Sequence, residues 1–363
     1  MANPETESHP APDEEQSASN ERAERKARKI VAVGFFLLAV FLWLAVCCLN
    51  KALTAGSDAE AGHPRFKVVE ITSGGALSDI AGRLASENVI SSGLLFKVAA
   101  IGRRSTRELK AGEYRFDTSM SLLDVLSRLE RGRVMLHEFT VPEGYTVKQI
   151  ARRLDKYALA DAEQFVRLAA DAEYCKELGV DGPSLEGFLF PDTYKIARGL
   201  SARDVLHIMV DRFWSAWIEE TRRETAGGGS TLREIVTIAS IVEKEALFND
   251  EMPLIAGVIY NRIEKNMPLQ CDVTIRYPLD NYGTHLTYAD LKMDSPYNSY
   301  LYPGIPLTPI CSPGHSALRA ALNPAETDYL YFVSMNNGRH RFSSSLEEHN
   351  RAVHKYQILN ERG

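Results

Sequence analysis

The sequence predicts an α+β protein in three parts: a single N-terminal transmembrane helix, a small α/β module and a larger mixed α+β domain. Three observations carry that prediction. Ile30–Leu49 is an uncharged run of 20 residues, enough to cross a bilayer core as a helix. A strand–turn–helix pattern recurs at 71–84, 115–129 and 140–154. Beyond residue 200, helical three- and four-residue periodicity alternates with strand-like and Gly/Pro-dense stretches.

Residues 1–29 are rich in Glu, Ser, Pro, Lys and Arg and poor in apolar groups, and read as a disordered tail. Arg22, Arg25, Lys26, Arg28 and Lys29 precede the apolar run, whereas only Lys51 follows it before Asp58 and Glu60. The positive-inside rule keeps that tail in the cytoplasm and places everything after residue 50 outside it, anchored in the inner membrane through Ile30–Leu49. The long charged segment before the run, and the lack of a clean small-x-small site, favour a retained anchor over a cleaved signal peptide. Residues 50–65 read as a tether, 66–135 as the small α/β module and 136–363 as the larger domain.

Composition narrows the chemistry. A formal net charge of −6 gives no basic face for nucleic acid. The five cysteines form no CxxC and no Cys/His ligand spacing, so neither a metal nor a redox cofactor is indicated. There is no HExxH, and Gly227–Gly229 lack the lysine of a phosphate loop. No cofactor is expected.

Each of the three repeats, ITSGGALSDIAGRL, RFDTSMSLLDVLSRL and TVPEGYTVKQIARRL, runs from strand-like residues through a polar turn into a short helix. Units of this size pack as a small α+β layer. The third copy, and with it the first, resembles the start of a LysM carbohydrate-binding unit. Residues 155–226 are mostly helical, interrupted by SLEGFLFPDTYKI, where Glu186 and Asp192 sit in an apolar setting and need partners.

The chemistry is expected on a helix over Thr231–Leu247. Thr231 and Glu234 have capping-box spacing. Leu232, Ile235, Ala239, Val242 and Ala246 share one face. Of the two carboxylates that follow, Glu245 falls beside Ile238, Ile241 and Val242, and Glu243 beside Val236, Ala239 and Ser240. The more apolar setting of Glu245 raises its pKa and suits it to general acid work. The competing reading is that Glu243-Lys244-Glu245 is a solvated helix tip. Next come a helix over Pro253–Ile263 presenting Asn261 and Arg262, and a strand over 267–277 with Gln270 and Asp272 on one face. The Gly/Pro-dense loop 294–315 follows, carrying Tyr297, Asn298, Tyr300 and Tyr302. Aromatic rings and amides on a semi-rigid loop suit a sugar-binding groove. A short helix at 316–324, a hairpin about Asn337-Gly338 and a last helix close the chain.

IASIVEKEA, VIYNRI, MPLQCDVTIRY, SPYNSYLYPGIPLTPICSPG and ALNPAETDYLYFV, in this order after EGFLFPDTY, are similar to the motifs of the endolytic murein transglycosylases of the YceG-like type. The resemblance covers nearly all of residues 66–355, and a single-pass anchor with a LysM-like module belongs to the same architecture. It implies that Glu245 is the catalytic glutamate, with the family's amide and acid on Gln270 and Asp272 and its Tyr-Asn pair on Tyr297 and Asn298. Gln270, Asn298 and Asn261 are then expected to orient acetamido groups. Cys271 stands where a small hydroxylated residue is usual, and Val273 where proline is.

The implied substrate is the peptidoglycan glycan strand, cut within its length to leave a 1,6-anhydro end and so to terminate elongation; peptidoglycan synthases are the implied partners. Three alternatives stay open at this point. They are a hydrolase using Glu245 with Asp272, a non-catalytic wall-binding protein, and a membrane scaffold.

Overall fold

The computed structural model describes residues 12–54, 65–72, 74–223 and 230–358. The protein is mixed α+β, with helices dominant and, among the described residues, three two-stranded antiparallel sheets. The chain divides into two compact units, Met1–Val134 and Met135–Gly363.

The first unit holds α1 (Pro12–Thr54), β1 (Phe66–Ile71), α2 (Leu77–Ser86), α3 (Gly93–Gly102), β2 (Gly112–Asp117) and α4 (Leu122–Glu130). β1 and β2 pair from Phe66↔Asp117 to Ile71↔Gly112. Alternate residues Val69, Ile71, Tyr114 and Phe116 point into the core, as the period of a strand requires. They meet Ile80 and Leu84 of α2, Phe96 of α3, and Val125 and Leu129 of α4. Each such side chain contributes about 1.5–3 kcal/mol by leaving water. Gly112 is obligatory: its φ is +135°, and a Cβ there would lie 2.5 Å from a Val134 methyl.

One expectation for the N-terminus is corrected. Helix α1 reaches back to Pro12, through residues whose composition reads as disordered; the Glu, Ala, Arg and Lys that dominate 21–29 are strong helix formers. Among the described residues, no helix is long and apolar enough to cross a membrane. Residues 1–11, 55–64 and 224–229, which include most of the tether and the Gly227–Gly229 break, lie outside the described residues.

The second unit begins with β3 (Leu136–Thr140) and α5 (Val147–Lys156), then α6 (Ala162–Ala169), α7 (Ala172–Glu177), β4 (Thr193–Ala197) and α8 (Ala202–Arg223). β3 pairs with β4 from Leu136↔Ala197 to Thr140↔Thr193. All three repeats are thus strand–turn–helix, but they do not form one layer. The first two build the first unit, while the third, β3–α5, pairs with a distant strand of the second.

At the centre lies α9 (Leu232–Glu245), opened by the Thr231/Glu234 capping box. One buried face was expected; instead every residue from Ile235 to Val242 is buried. A helix buried all round must satisfy its polar groups internally. Thr237 Oγ1 donates to the Arg233 carbonyl at 2.7 Å, and Ser240 Oγ to that of Thr237 at 2.7 Å. α10 (Met252–Glu264), α11 (Asp272–Leu279) and α12 (His315–Leu322) pack around it. The hairpin β5 (Tyr331–Ser334) and β6 (His340–Ser343) and the helix α13 (Leu346–Val353) complete the unit. The hairpin loop is longer than a two-residue turn: Met335 N donates to Arg339 O at 2.8 Å, with Asn336 and Gly338 both at positive φ.

The strand expected over 267–277 is not formed. Gln270 has φ +53° and Asp272–Leu279 is helical. The β-branched Val273, Thr274 and Ile275 are overruled by hydrogen bonds to Ser299. Gln270 N donates to the Ser299 carbonyl at 3.0 Å and Cys271 N to Ser299 Oγ at 3.0 Å. Thr274 Oγ1 lies 2.9 Å from that same hydroxyl.

Candidate active site

Glu245 is the last residue of α9, where the buried helix reaches the surface. It is half-buried and lines an open cleft of about 430 Å³. Arg262, Leu269, Gln270 and Asp272 contribute to the cleft from the α10–α11 region, and Tyr300 from the Gly/Pro-dense segment. Phe332, Val333, His349 and Val353 come from the C-terminal hairpin and α13. The helix end is therefore not a solvated tip.

The Glu245 carboxyl is pushed up to about 7, first by burial and then by the nearby negative charge of Asp272; a hydrogen bond with the Cys271 thiol and the charge of Arg276 oppose the rise. Both raising causes disfavour the carboxylate, the condition a general acid needs near neutral pH. Glu243 is placed differently. Its carboxylate accepts from Gly314 N at 3.0 Å, so it serves as an anchor for the proline-dense segment.

Gln270 and Asp272 both reach the cleft, although not as alternate residues of a strand. They flank Cys271 at the entry to α11. Gln270 is an exposed residue in the left-handed region, a conformation of about 1–3 kcal/mol cost that persists only where surroundings enforce it. Asp272 accepts from the Tyr300 hydroxyl at 2.7 Å.

The other sequence-predicted residues lie elsewhere, for identifiable reasons. Asn298 is 1% exposed, and its amide donates to the Leu291 and Met293 carbonyls at 3.0 and 2.8 Å while its Oδ1 accepts from Tyr300 N. It cannot orient an acetamido group; it braces the residue that holds Asp272. Tyr297 is half-buried, its hydroxyl 2.8 Å from Thr308 Oγ1 and its ring beside Tyr277. Asn261 donates to the Thr327 and Tyr329 carbonyls at 2.7 and 3.0 Å, lining a separate cavity of about 490 Å³. Glu186 is buried, accepting from Val147 N and from the Tyr277 hydroxyl at 3.0 Å. Burial raises its carboxyl to about 7 as well, but it is 3% exposed and does not line the Glu245 cleft. A raised pKa alone does not identify an acid catalyst; access does.

Sequence reasoning missed Tyr300 as the partner of Asp272, and it missed the wall built by Phe332, Val333 and His349. The only available signal was the density of aromatic residues in 294–302 and 329–332. Nothing in the sequence shows that the terminal hairpin folds onto α10.

Comparison with known proteins follows the same architecture. Residues 69–355 match the model of the YceG-like family. A Bacillus subtilis protein named endolytic murein transglycosylase is 32% identical over 304 residues, covering 79% of this chain and 84% of its own length. A Streptococcus pneumoniae protein of the same name is 30% identical over 329 residues, which are 81% of this chain but 59% of that relative. The crystal structure of a YceG-like protein from Listeria monocytogenes covers 80% of this chain and 100% of its own, with a TM-score of 0.53 and 32% identity. With a family match that runs from β1 to the end of α13, the chain belongs to the YceG-like family.

Proposed function

We propose that this protein is an endolytic murein transglycosylase, cutting the β-1,4 bond between N-acetylmuramic acid and N-acetylglucosamine within a glycan strand. The observation that carries the reading is Glu245, a half-buried carboxyl raised to about 7 on the wall of an open cleft. Protonated, Glu245 gives its proton to the glycosidic oxygen as the bond from C1 breaks. As carboxylate, it then takes the proton of the muramic C6 hydroxyl, whose oxygen attacks C1 and closes a 1,6-anhydro ring. One carboxyl serves both steps because the nucleophile is part of the substrate, which makes ring closure intramolecular.

Asp272 is the rival second carboxylate of a hydrolase. Its tie to the Tyr300 hydroxyl and its effect on Glu245 favour a different role, keeping Glu245 protonated. Gln270 is the amide available to the acetamido groups. Product analysis on purified murein tests the reaction: anhydro-muramic ends are expected from the wild type, and reducing ends instead would establish the hydrolase. Glu245→Gln is expected to lower cleavage by about 10²–10⁴, the usual weight of a general acid.

Attachment to the membrane through Ile30–Leu49 belongs to the same proposal. Supporting it are the uncharged sequence run and the exposure of every side chain from Ile30 to Leu44 on α1, a helix without a polar stripe to face water. The catalytic part then lies outside the cytoplasm, where the β1–β2 unit, as a LysM-like module, adds a second hold on the glycan. Fractionation tests the anchor: the full chain is expected with the membranes and a chain lacking residues 1–64 in the soluble fraction. Recovery of both in the soluble fraction would remove the anchor.

A further inference from the structure

The cleft that holds Glu245 also holds a cation without a counter-ion. Arg262 is 8% exposed. Its Nε donates to the Leu330 carbonyl at 2.6 Å, and its Nη1 to those of Pro268 and Leu269 at 3.0 and 2.9 Å. These bonds leave Nη2. Among the described residues, no carboxylate forms an ion pair with this guanidinium. A charge so far out of water is costly unless paired, and Arg262 lines the cleft.

His349 lines the same cleft. Its ring stacks on Tyr331 at 5.1 Å and 24°, and the Arg262 guanidinium lies 5.1 Å from the centre of that same tyrosine ring. His349 Nδ1 is fully buried with no partner. An orphaned buried N–H is rarer than an orphaned acceptor, so the geometry assigns the hydrogen to Nε2. Burial and the charge of Arg262 both hold the ring neutral. The cleft is therefore lined by two donors that rest on the same tyrosine ring, one charged and one neutral, for which the described residues supply no partner.

A guanidinium and an imidazole N–H lining one cleft fit the oxygens of a carboxyl or carbonyl group. In murein, only the muramic residue carries such a group beyond the acetamido shared by both sugars. Its lactyl substituent ends in a carboxylate, or in an amide carbonyl where a stem peptide is attached. We propose that Arg262 and His349 form a subsite for the lactyl oxygen of the muramic residue bound against Glu245. This rests on the murein reading above and deepens it. The strand alternates two sugars of the same size, and ring closure needs the muramic one at the reacting position. A contact to the lactyl group sets that register, whereas acetamido contacts cannot.

Binding to the full-length Glu245→Gln protein tests the subsite without turnover. The probes are a GlcNAc–MurNAc tetrasaccharide, the same molecule with stem peptides, and a GlcNAc tetrasaccharide lacking lactyl groups. The Glu245→Gln protein is expected to prefer the murein tetrasaccharides about tenfold, the weight of one hydrogen bond to a charged group. Adding His349→Ala or Arg262→Lys is expected to erase most of that preference while leaving the GlcNAc tetrasaccharide affinity unchanged. Equal weakening for all probes, or no weakening, overturns the subsite. His349→Ala removes no backbone hydrogen bond and so stands alone if Arg262→Lys fails to fold. Preference for the peptide-free probe alone identifies the carboxylate as the group read, and preference for both identifies the carbonyl. Cleavage by Glu245→Gln at the wild-type rate would overturn the general-acid reading separately, leaving the binding comparison intact.

Discussion

Glu245 depends on its neighbours for its protonation state, and this gives a pH signature. An acid raised to about 7 is active while protonated, so kcat/KM is expected to fall as pH rises through 7. The charge of Asp272 contributes to the rise; Asp272→Asn removes it, lowers the Glu245 pKa and moves that fall to lower pH. An unmoved profile in Asp272→Asn would mean that burial alone sets the acid. Helical spacing alone did not separate Glu245 from Glu243: burial raises both carboxyls, and what sets Glu245 apart is the cleft it lines and the charge of Asp272. Asn298, Tyr297 and Asn261 were read as substrate ligands from residue type and family position. Each instead spends its polar atoms on the chain itself. Residue type does not reveal whether a side-chain amide meets a sugar or a carbonyl from a segment 66 residues away.

At the scale of elements, α11 is the instructive case. Val273, Thr274 and Ile275 favour a strand, yet the segment becomes helical because Ser299 binds Cys271 N and lies 2.9 Å from the Thr274 hydroxyl. Ser299 is 3% exposed, so loss of its hydroxyl leaves the buried Cys271 N–H unpaired. Ser299→Ala is expected to cost about 1–3 kcal/mol of stability and to lower activity further, because Gln270 and Asp272 flank the residue it holds. Denaturant unfolding and murein release measure the two effects; unchanged activity in a destabilised variant would separate the clasp from the site. The helices α9, α10 and α12 were legible because apolar period, and for α9 a capping box, is written within each segment. The fate of 267–277 was not, since its partner lies nearly 30 residues further on. For the same reason the full burial of α9 exceeds the single face that its periodicity marks.

Over the whole molecule, the two-unit division follows from two separate apolar cores, one around Leu84, Phe96 and Phe116 and the other around α9. The repeat was visible in the sequence, but not that its third copy would leave the first two and join β4. The second unit also closes its cleft late. Phe332, Val333, His349 and Val353 all come from the last part of the described chain. A chain stopped after Leu330 is expected to retain Glu245 and release no glycan fragments from murein; release at the full rate would mean that this wall is dispensable.

That late closure has a biological consequence. The wall is made well after Glu245, so a molecule synthesised or clipped short of it is a blade without its second edge. Timing of activity is thus built into the order of the chain: the cutter works only once the hairpin and α13 have joined the acid.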